Sequence, residues 1–116
     1  MAVVKAKLSN YRASTRRARL LADLIRGKQV EEALALLDLS PRRFAKPLAK
    51  LVRSAVANAE VKNEREKAGI DVDNLVISRI TIDQGPSLWR IQARAQGRAN
   101  WIQKRTSHVQ LELEER

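Results

Sequence analysis

Cysteine is missing from this chain, which removes disulfides, thiol nucleophiles and thiolate metal sites. Histidine occurs once, at His108, and no Gly-rich loop suited to cradling phosphate is present. Little remains from which an active site could be assembled, so an enzyme is disfavoured and no cofactor or metal is expected. Asp71 and Asp73 lack further oxygen ligands or a flanking motif and read as loop solubilisers. Aromatic residues are Tyr11, Phe44, Trp89 and Trp101. The core must therefore come from Leu, Ile, Val and Ala. No apolar run approaches the ~20 residues that span a bilayer, and MAVVKAKLSN has no signal-peptide apolar region. A soluble single domain with no membrane partner is expected from these 116 residues.

Acid is also in short supply. Lys and Arg number 23 against 13 Asp and Glu, a net charge of +10, and such a surplus favours polyanionic partners. Residues 1–63 hold 14 basic and 5 acidic side chains, residues 64–84 hold 3 and 5, and residues 85–109 hold 5 and none. Two basic regions are thus separated by a mildly acidic stretch, a segregation that solubility alone does not require.

AVVKAKLS alternates small or apolar residues with Lys5 and Lys7 and reads as a half-buried strand. Ser14 can cap a helix through TRRARLLADLIR that Gly27 stops, with Ala18, Leu21, Leu24 and Ile25 as its apolar stripe. Arg16 and Arg19 project away from that stripe and crowd the positive end of the helix dipole, a cost that a bound phosphate would offset. VEEALALL repeats the helical spacing. Ser40-Pro41 resembles an N-cap with Pro at the first helical position. The longest stripe then runs from Phe44 to Ala59, its regular helix beginning near Lys46 because of Pro47 and ending near Asn63. After a polar loop the period switches to two. Val76, Ile80 and Ile82 share one face, with Ile77, Arg79, Thr81 and Asp83 on the other. At the C-terminal side Val109, Leu111 and Leu113 alternate with Gln110, Glu112 and Glu114.

Between those two strands lies the most basic and least apolar stretch. Antiparallel pairing carried outward makes GPSLWRIQA and GRANWIQKR the arms of a hairpin with its tip near Arg94–Gly97. An arm from Ile80 to Arg94 extends roughly 50 Å at ~3.3 Å per residue, and the body spans only about 30 Å. Most of the arm must stand clear. A lone two-stranded hairpin is marginal in water, so an outside partner must hold it, and five cations without an acid select phosphate. Arg90, Arg94 and Arg98 would also align on a helix, but Gly85, Pro86 and Gly97 disfavour one.

RLLADLIRGK (19–28), SAVANAE (54–60), IDQGPSL (82–88), RAQGRA (94–99) and KRTSH (104–108), in this order, resemble the bacterial large-subunit ribosomal protein twenty-two family over nearly the whole chain. The resemblance implies a small α+β body near the exit of the polypeptide tunnel and a long hairpin reaching inward through ribosomal RNA to line it. It implies contacts with several domains of large-subunit RNA and with neighbouring large-subunit proteins. It further implies a nascent polypeptide at the hairpin tip, a role in subunit assembly and no enzymatic activity. The location implied is the large ribosomal subunit in the cytoplasm, an organellar ribosome being the alternative. The chain departs from the family's usual Lys at 89, Pro at 93 and Lys or Arg at 96 with Trp89, Ala93 and Gln96. In a register whose indices sum to 190, Trp89 and Trp101 would face and pack on each other. The alternative is that each stacks on an RNA base.

Together these readings predict an α+β fold: a small three-stranded antiparallel sheet packed on about three helices, with a long protruding β-hairpin. One domain, 1–116, is expected, its body about 1–82 and 105–116 and its hairpin about 83–104. The expected RNA contacts on the body are Lys5, Lys7, Arg12, Ser14, Arg16, Arg17, Arg19, Arg26 and Lys28. Those on the hairpin and its base are Trp89, Arg90, Arg94, Gly97, Arg98, Lys104, Arg105, Thr106, Ser107 and His108. Arginine suits the task because its planar fork engages phosphate bidentately and stacks on bases. A DNA-binding protein with the hairpin in a groove is the competing reading.

Overall fold

The alternation of Val109, Leu111 and Leu113 with polar neighbours builds the central strand of the fold. In the computed structural model, which describes residues 3–67 and 69–115, all three of those side chains are fully buried. Met1, Ala2, Ala68 and Arg116 lie outside the described residues, and with them the first residue of the AVVKAKLS strand and the outermost ends of the expected domain. The elements run β1 (Val3–Tyr11), α1 (Thr15–Ile25), α2 (Val30–Leu39), α3 (Ala45–Glu66), a single turn Val72–Asn74, and β2 (Leu75–Gln84). Then follow β3 (Leu88–Ala93), a tip turn Ala95–Gly97, β4 (Ala99–Lys104) and β5 (Ser107–Glu115). The α+β architecture is as expected: a three-stranded antiparallel sheet ordered β1-β5-β2, and a separate two-stranded hairpin of β3 and β4.

Helices α1 and α3 cover the sheet and α2 packs on α3. Ala18, Leu21, Ala22 and Ile25 are the buried face of α1, whereas Leu24, expected in the stripe, is exposed. Helix α3 buries Leu48, Leu51, Val52, Ala55 and Ala59. It begins at Ala45, next to the expected Lys46, and Ser40 does not cap it, since Ser40 ends α2 and its hydroxyl accepts from the Arg42 amide at 3.3 Å. Pro47 costs nothing there. It lies in the first turn, where amides have no intrahelical partner, and the Leu48 amide makes the bond to the Phe44 carbonyl.

Two irregularities in the strands decide which side chains face inward. Leu75 to Ile77 pair with β5 at indices summing to 190, but Arg79 to Gln84 pair at 191. The extra residue is Ser78, whose hydroxyl donates to the Glu112 carbonyl at 3.2 Å. Because one inserted residue exchanges the faces of a strand, Ile77 joins Ile80 and Ile82 in the core. The uninterrupted alternation expected across Val76–Asp83 is thereby corrected. A second insertion follows, with Gly85, Pro86 and Ser87 opposite Arg105 and Thr106 alone, and the hairpin pairs at 192.

Side chains from the helices occupy both edges of the sheet. On the β2 side, Arg19 donates from Nε and Nη2 to the Ile82 carbonyl at 3.1 and 2.9 Å. Arg26, two turns later at the C-terminal cap of α1, donates to the Ile80 carbonyl at 2.9 Å. On the β1 side, Asn58 donates to the Lys5 carbonyl at 3.0 Å and Lys62 to the Val3 carbonyl at 3.4 Å.

The hairpin leaves the body at Gly85, because Asp83 and Gln84 still pair with His108 and Ser107. Its free arm is accordingly shorter than the arm reckoned from Ile80, about 30 Å from Gly85 to Arg94. The chain measures 65 × 27 × 16 Å, with a radius of gyration of 17.5 Å against about 13 Å for a compact chain of this length. All of β3 is exposed.

Candidate nucleic-acid interface

The foot of the hairpin meets the body at a cleft of about 770 Å³. Arg12 and Arg17 line it from the β1–α1 side, Arg42 and Arg43 from the segment before α3, and Lys104 and Arg105 from the hairpin. Among the described residues its lining includes no carboxylate. Tyr11 and Phe44 line it as well, their rings 5.5 Å apart and tilted by 58°. Six cations enclosed on three sides reinforce one another's field and attract a dense anion.

The two helix starts at this cleft add to that field. Ser14 and Phe44, the N-caps of α1 and α3, both line it, and neither makes a side-chain capping bond. Neither first turn carries an acid, whereas α2, which opens elsewhere, has Glu31 and Glu32 in its first turn. Each helix start carries roughly half a positive charge, although at α3 the Ala45 amide already donates to the Arg42 carbonyl at 3.1 Å and Pro47 has no amide hydrogen. Phosphate oxygens suit both.

Of the body residues expected to contact RNA, Arg12, Ser14 and Arg17 come together in the cleft. Arg16 is exposed on α1 away from the lining. Arg19 and Arg26 donate to carbonyls of the β2 edge, Arg26 also meeting Asp23 at 2.6 Å. Lys28 lies 3.6 Å from Glu32. Lys5 lies 3.6 Å from Glu112 on the sheet face opposite the helices, where Lys7 is also exposed.

On the hairpin, Arg90, Arg94 and Arg98 are exposed. Arg90 also donates to the Trp89 carbonyl at 2.9 Å. The tip closes with the Arg94 amide on the Arg98 carbonyl at 2.7 Å. Gln96 and Gly97 there have φ of 62° and 71°, a left-handed pair that glycine adopts without the cost of a Cβ. Trp89 does not face Trp101. The added residues of the two insertions move the register to 192, so Trp89 lies opposite Gln103 and Trp101 opposite Ile91.

Thr106, Ser107 and His108 form the shoulder where the hairpin departs. The Thr106 hydroxyl donates to the Pro86 carbonyl at 2.6 Å, and the fully buried Ser107 donates to the Ala13 carbonyl at 2.7 Å. The Asn10 amide donates to Nδ1 of His108 at 3.1 Å. Asn10 has a φ of 56° beside an irregularity in β1, a conformation asparagine tolerates better than most residues. Thr106 thus ties the foot of the hairpin across its two strands, and Ser107 and His108 tie the start of β5 to the end of β1.

Arg42 and Arg43 were not among the residues expected from sequence. An arginine doublet after Ser40-Pro41 with no acid beside it is the available signal. It was obscured because that segment reads as the opening of a helix.

A family model described as "Ribosomal protein L22p/L17e" matches residues 6–114. Among curated proteins, "Large ribosomal subunit protein uL22" of Anaeromyxobacter sp. (strain K) is 51% identical over 108 residues, covering 93% of this chain and 71% of the relative. The protein of the same name from Desulforamulus reducens is 50% identical over 105 residues, covering 90% of this chain and 88% of the relative. This is a family of ribosomal proteins, not of enzymes. A match of this extent and identity, on a fold with a projecting cationic hairpin, establishes that the chain belongs to the ribosomal protein L22p/L17e family and is a constituent of the large ribosomal subunit.

Proposed function

We propose that this chain binds large-subunit ribosomal RNA through one continuous cationic surface, the cleft at the foot of the hairpin and the hairpin itself. The observation that carries this reading is the junction. Lys104 and Arg105 belong to the hairpin base and also line the cleft with Arg12, Arg17, Arg42 and Arg43. RNA seated in the cleft would hold the body and fix the direction of the arm together. Several RNA segments meeting at that junction would be tied to one another, which is how a protein of this shape supports assembly of the subunit. The arm then reaches through RNA and presents Arg94–Arg98 to the nascent polypeptide in the exit tunnel, while neighbouring large-subunit proteins pack on the body. The arm's ties lie at its foot, where the Thr106 hydroxyl meets the Pro86 carbonyl and the Gly85 amide meets the Thr106 carbonyl, and β3 beyond them is exposed along its whole length.

Binding of the purified full chain to large-subunit ribosomal RNA and to a DNA duplex, each across a salt series, tests the first part. Strong preference for the RNA is expected, with log K falling linearly in log salt. Equal binding to the DNA duplex would favour the groove-binding alternative. A photo-cross-linker at Gln96 in reconstituted subunits carrying a nascent chain tests the second part. A cross-link to the nascent chain is expected, and exclusive cross-linking to RNA or to other proteins would remove the tip from the tunnel wall.

A further inference from the structure

Pairing of β3 with β4 sorts the hairpin's side chains onto two unlike faces. Directly opposed residues share a face and successive residues alternate. Leu88, Arg90 and Gln92 lie opposite Lys104, Ile102 and Asn100 on one face. Trp89, Ile91 and Ala93 lie opposite Gln103, Trp101 and Ala99 on the other. The second face has no ionisable side chain at any of its six positions. It carries both tryptophans of the chain, Trp89 55% and Trp101 67% exposed, with Ile91 62% exposed beside them. The body does not cover this face, and the ring pair found among the described residues is Tyr11–Phe44, not the two indoles.

We propose that the Trp89–Ile91–Trp101 face is a stacking platform for unpaired RNA bases, while the opposite face, with Arg90 and Lys104, meets the phosphates. This rests on the RNA-binding reading above and specifies which part of the nucleotide each face takes. Charge decides the occupant. Five cations and no acid lie between Gly85 and Val109, so a second copy of the hairpin would bring five more and be repelled. A neutral face gains nothing from phosphate, yet anything drawn to this arm arrives as a polyanion. Nucleic acid is the polyanion that also brings flat apolar surfaces of its own. Every base has a π-face that an indole can stack on, whatever the sequence. In a duplex those faces are covered by neighbouring base pairs, so the nucleotides that fit come from loops, bulges or single strands.

The protein carries its own reporter, because its indole emission arises from Trp89 and Trp101 alone. The full chain is titrated with single-stranded RNA of about 12 nucleotides and with a blunt RNA duplex of equal length, and binding is followed separately by anisotropy of labelled RNA. The single strand is expected to quench the indole emission strongly as it binds, and the duplex to bind without quenching. Trp89→Leu and Trp101→Leu are each expected to weaken single-strand binding about 5- to 100-fold, the loss of one base stack, with the salt dependence unchanged. RNA bound by anisotropy with unchanged indole emission, or leucine variants that bind single strands like the parent chain, would overturn the platform and give the face to a protein partner. The RNA-binding reading would survive that result. Absence of RNA binding by anisotropy would overturn both.

Discussion

Gly85 and Thr106 face each other across the shoulder of the hairpin at a distance that admits no side chain on the glycine. The Gly85 amide donates to the Thr106 carbonyl at 2.9 Å, and a Cβ at residue 85 would lie 2.5 Å from the Thr106 hydroxyl oxygen. That oxygen cannot swing aside freely, because Thr106 is buried and its hydroxyl is bonded to the Pro86 carbonyl. Gly85→Ala is therefore expected to lower the unfolding free energy by about 1–3 kcal/mol. Thr106→Ala removes the nearest obstructing atom, leaving the His108 ring at 3.1–3.2 Å, so the double variant should fall short of the summed single losses by at least about 0.5 kcal/mol. Urea titration of the four proteins checks this, and strict additivity would rule out the contact.

Ser107 is fully buried and donates to the Ala13 carbonyl. Ser107→Ala leaves that carbonyl without its partner and should cost about 1–3 kcal/mol of stability. The salt slope of RNA binding should not change, since the hydroxyl faces the protein. A changed slope with stability intact would assign Ser107 to the RNA instead.

Arg19 and Arg17 carry the same charge two residues apart and should behave in opposite ways. Arg19→Ala loses two donors to the Ile82 carbonyl and should cost about 1 kcal/mol of stability, with the salt slope unchanged. Arg17→Ala should leave urea denaturation unaltered and reduce the slope. The reverse outcome would exchange their roles.

Arg42 and Arg43 join the cleft although sequence did not select them. Each alanine substitution should weaken binding to large-subunit RNA and reduce the magnitude of the slope of log K against log salt by about 0.7–0.9, the release of counterions from one phosphate. The double variant should lose about twice as much. Slopes equal to that of the parent chain would place the doublet outside the interface.

The amides of β3 and β4 should exchange with solvent rapidly in the free protein and slowly in the RNA complex, while those of β5 are protected in both. Mass-spectrometric exchange reads both regions in one experiment. Equal protection of Leu88–Lys104 in the free chain would show that the arm supports itself.

Much of this was legible in the sequence because period and charge are local properties. The alternation Val109–Leu111–Leu113, the stripe along α3 and the acid-free span after Gly85 each name an element without reference to any other. What escaped depends on packing. Ser78 looks like any polar strand residue, yet by occupying an inserted position it exchanges the faces of everything before it. The pairing of Trp89 with Trp101 failed for the same reason, since a register counted from one end takes no account of two insertions on the way. Arg17 and Arg19 are equivalent as charges, and only the rotation of α1 against β2 sends one to the cleft and the other to a carbonyl. Thr106 and Ser107 resemble RNA-facing hydroxyls until the shoulder encloses them.

The rims of the sheet bear on life before the ribosome. With Arg19 and Arg26 seated on one border and Asn58 and Lys62 on the other, a neighbouring copy meets side chains already bonded to carbonyls on which it would add a strand. The remaining unsealed ribbon, the arm, repels its own kind through its uniform charge. Edge-to-edge addition of one newly made chain to another is thereby disfavoured at these four carbonyls.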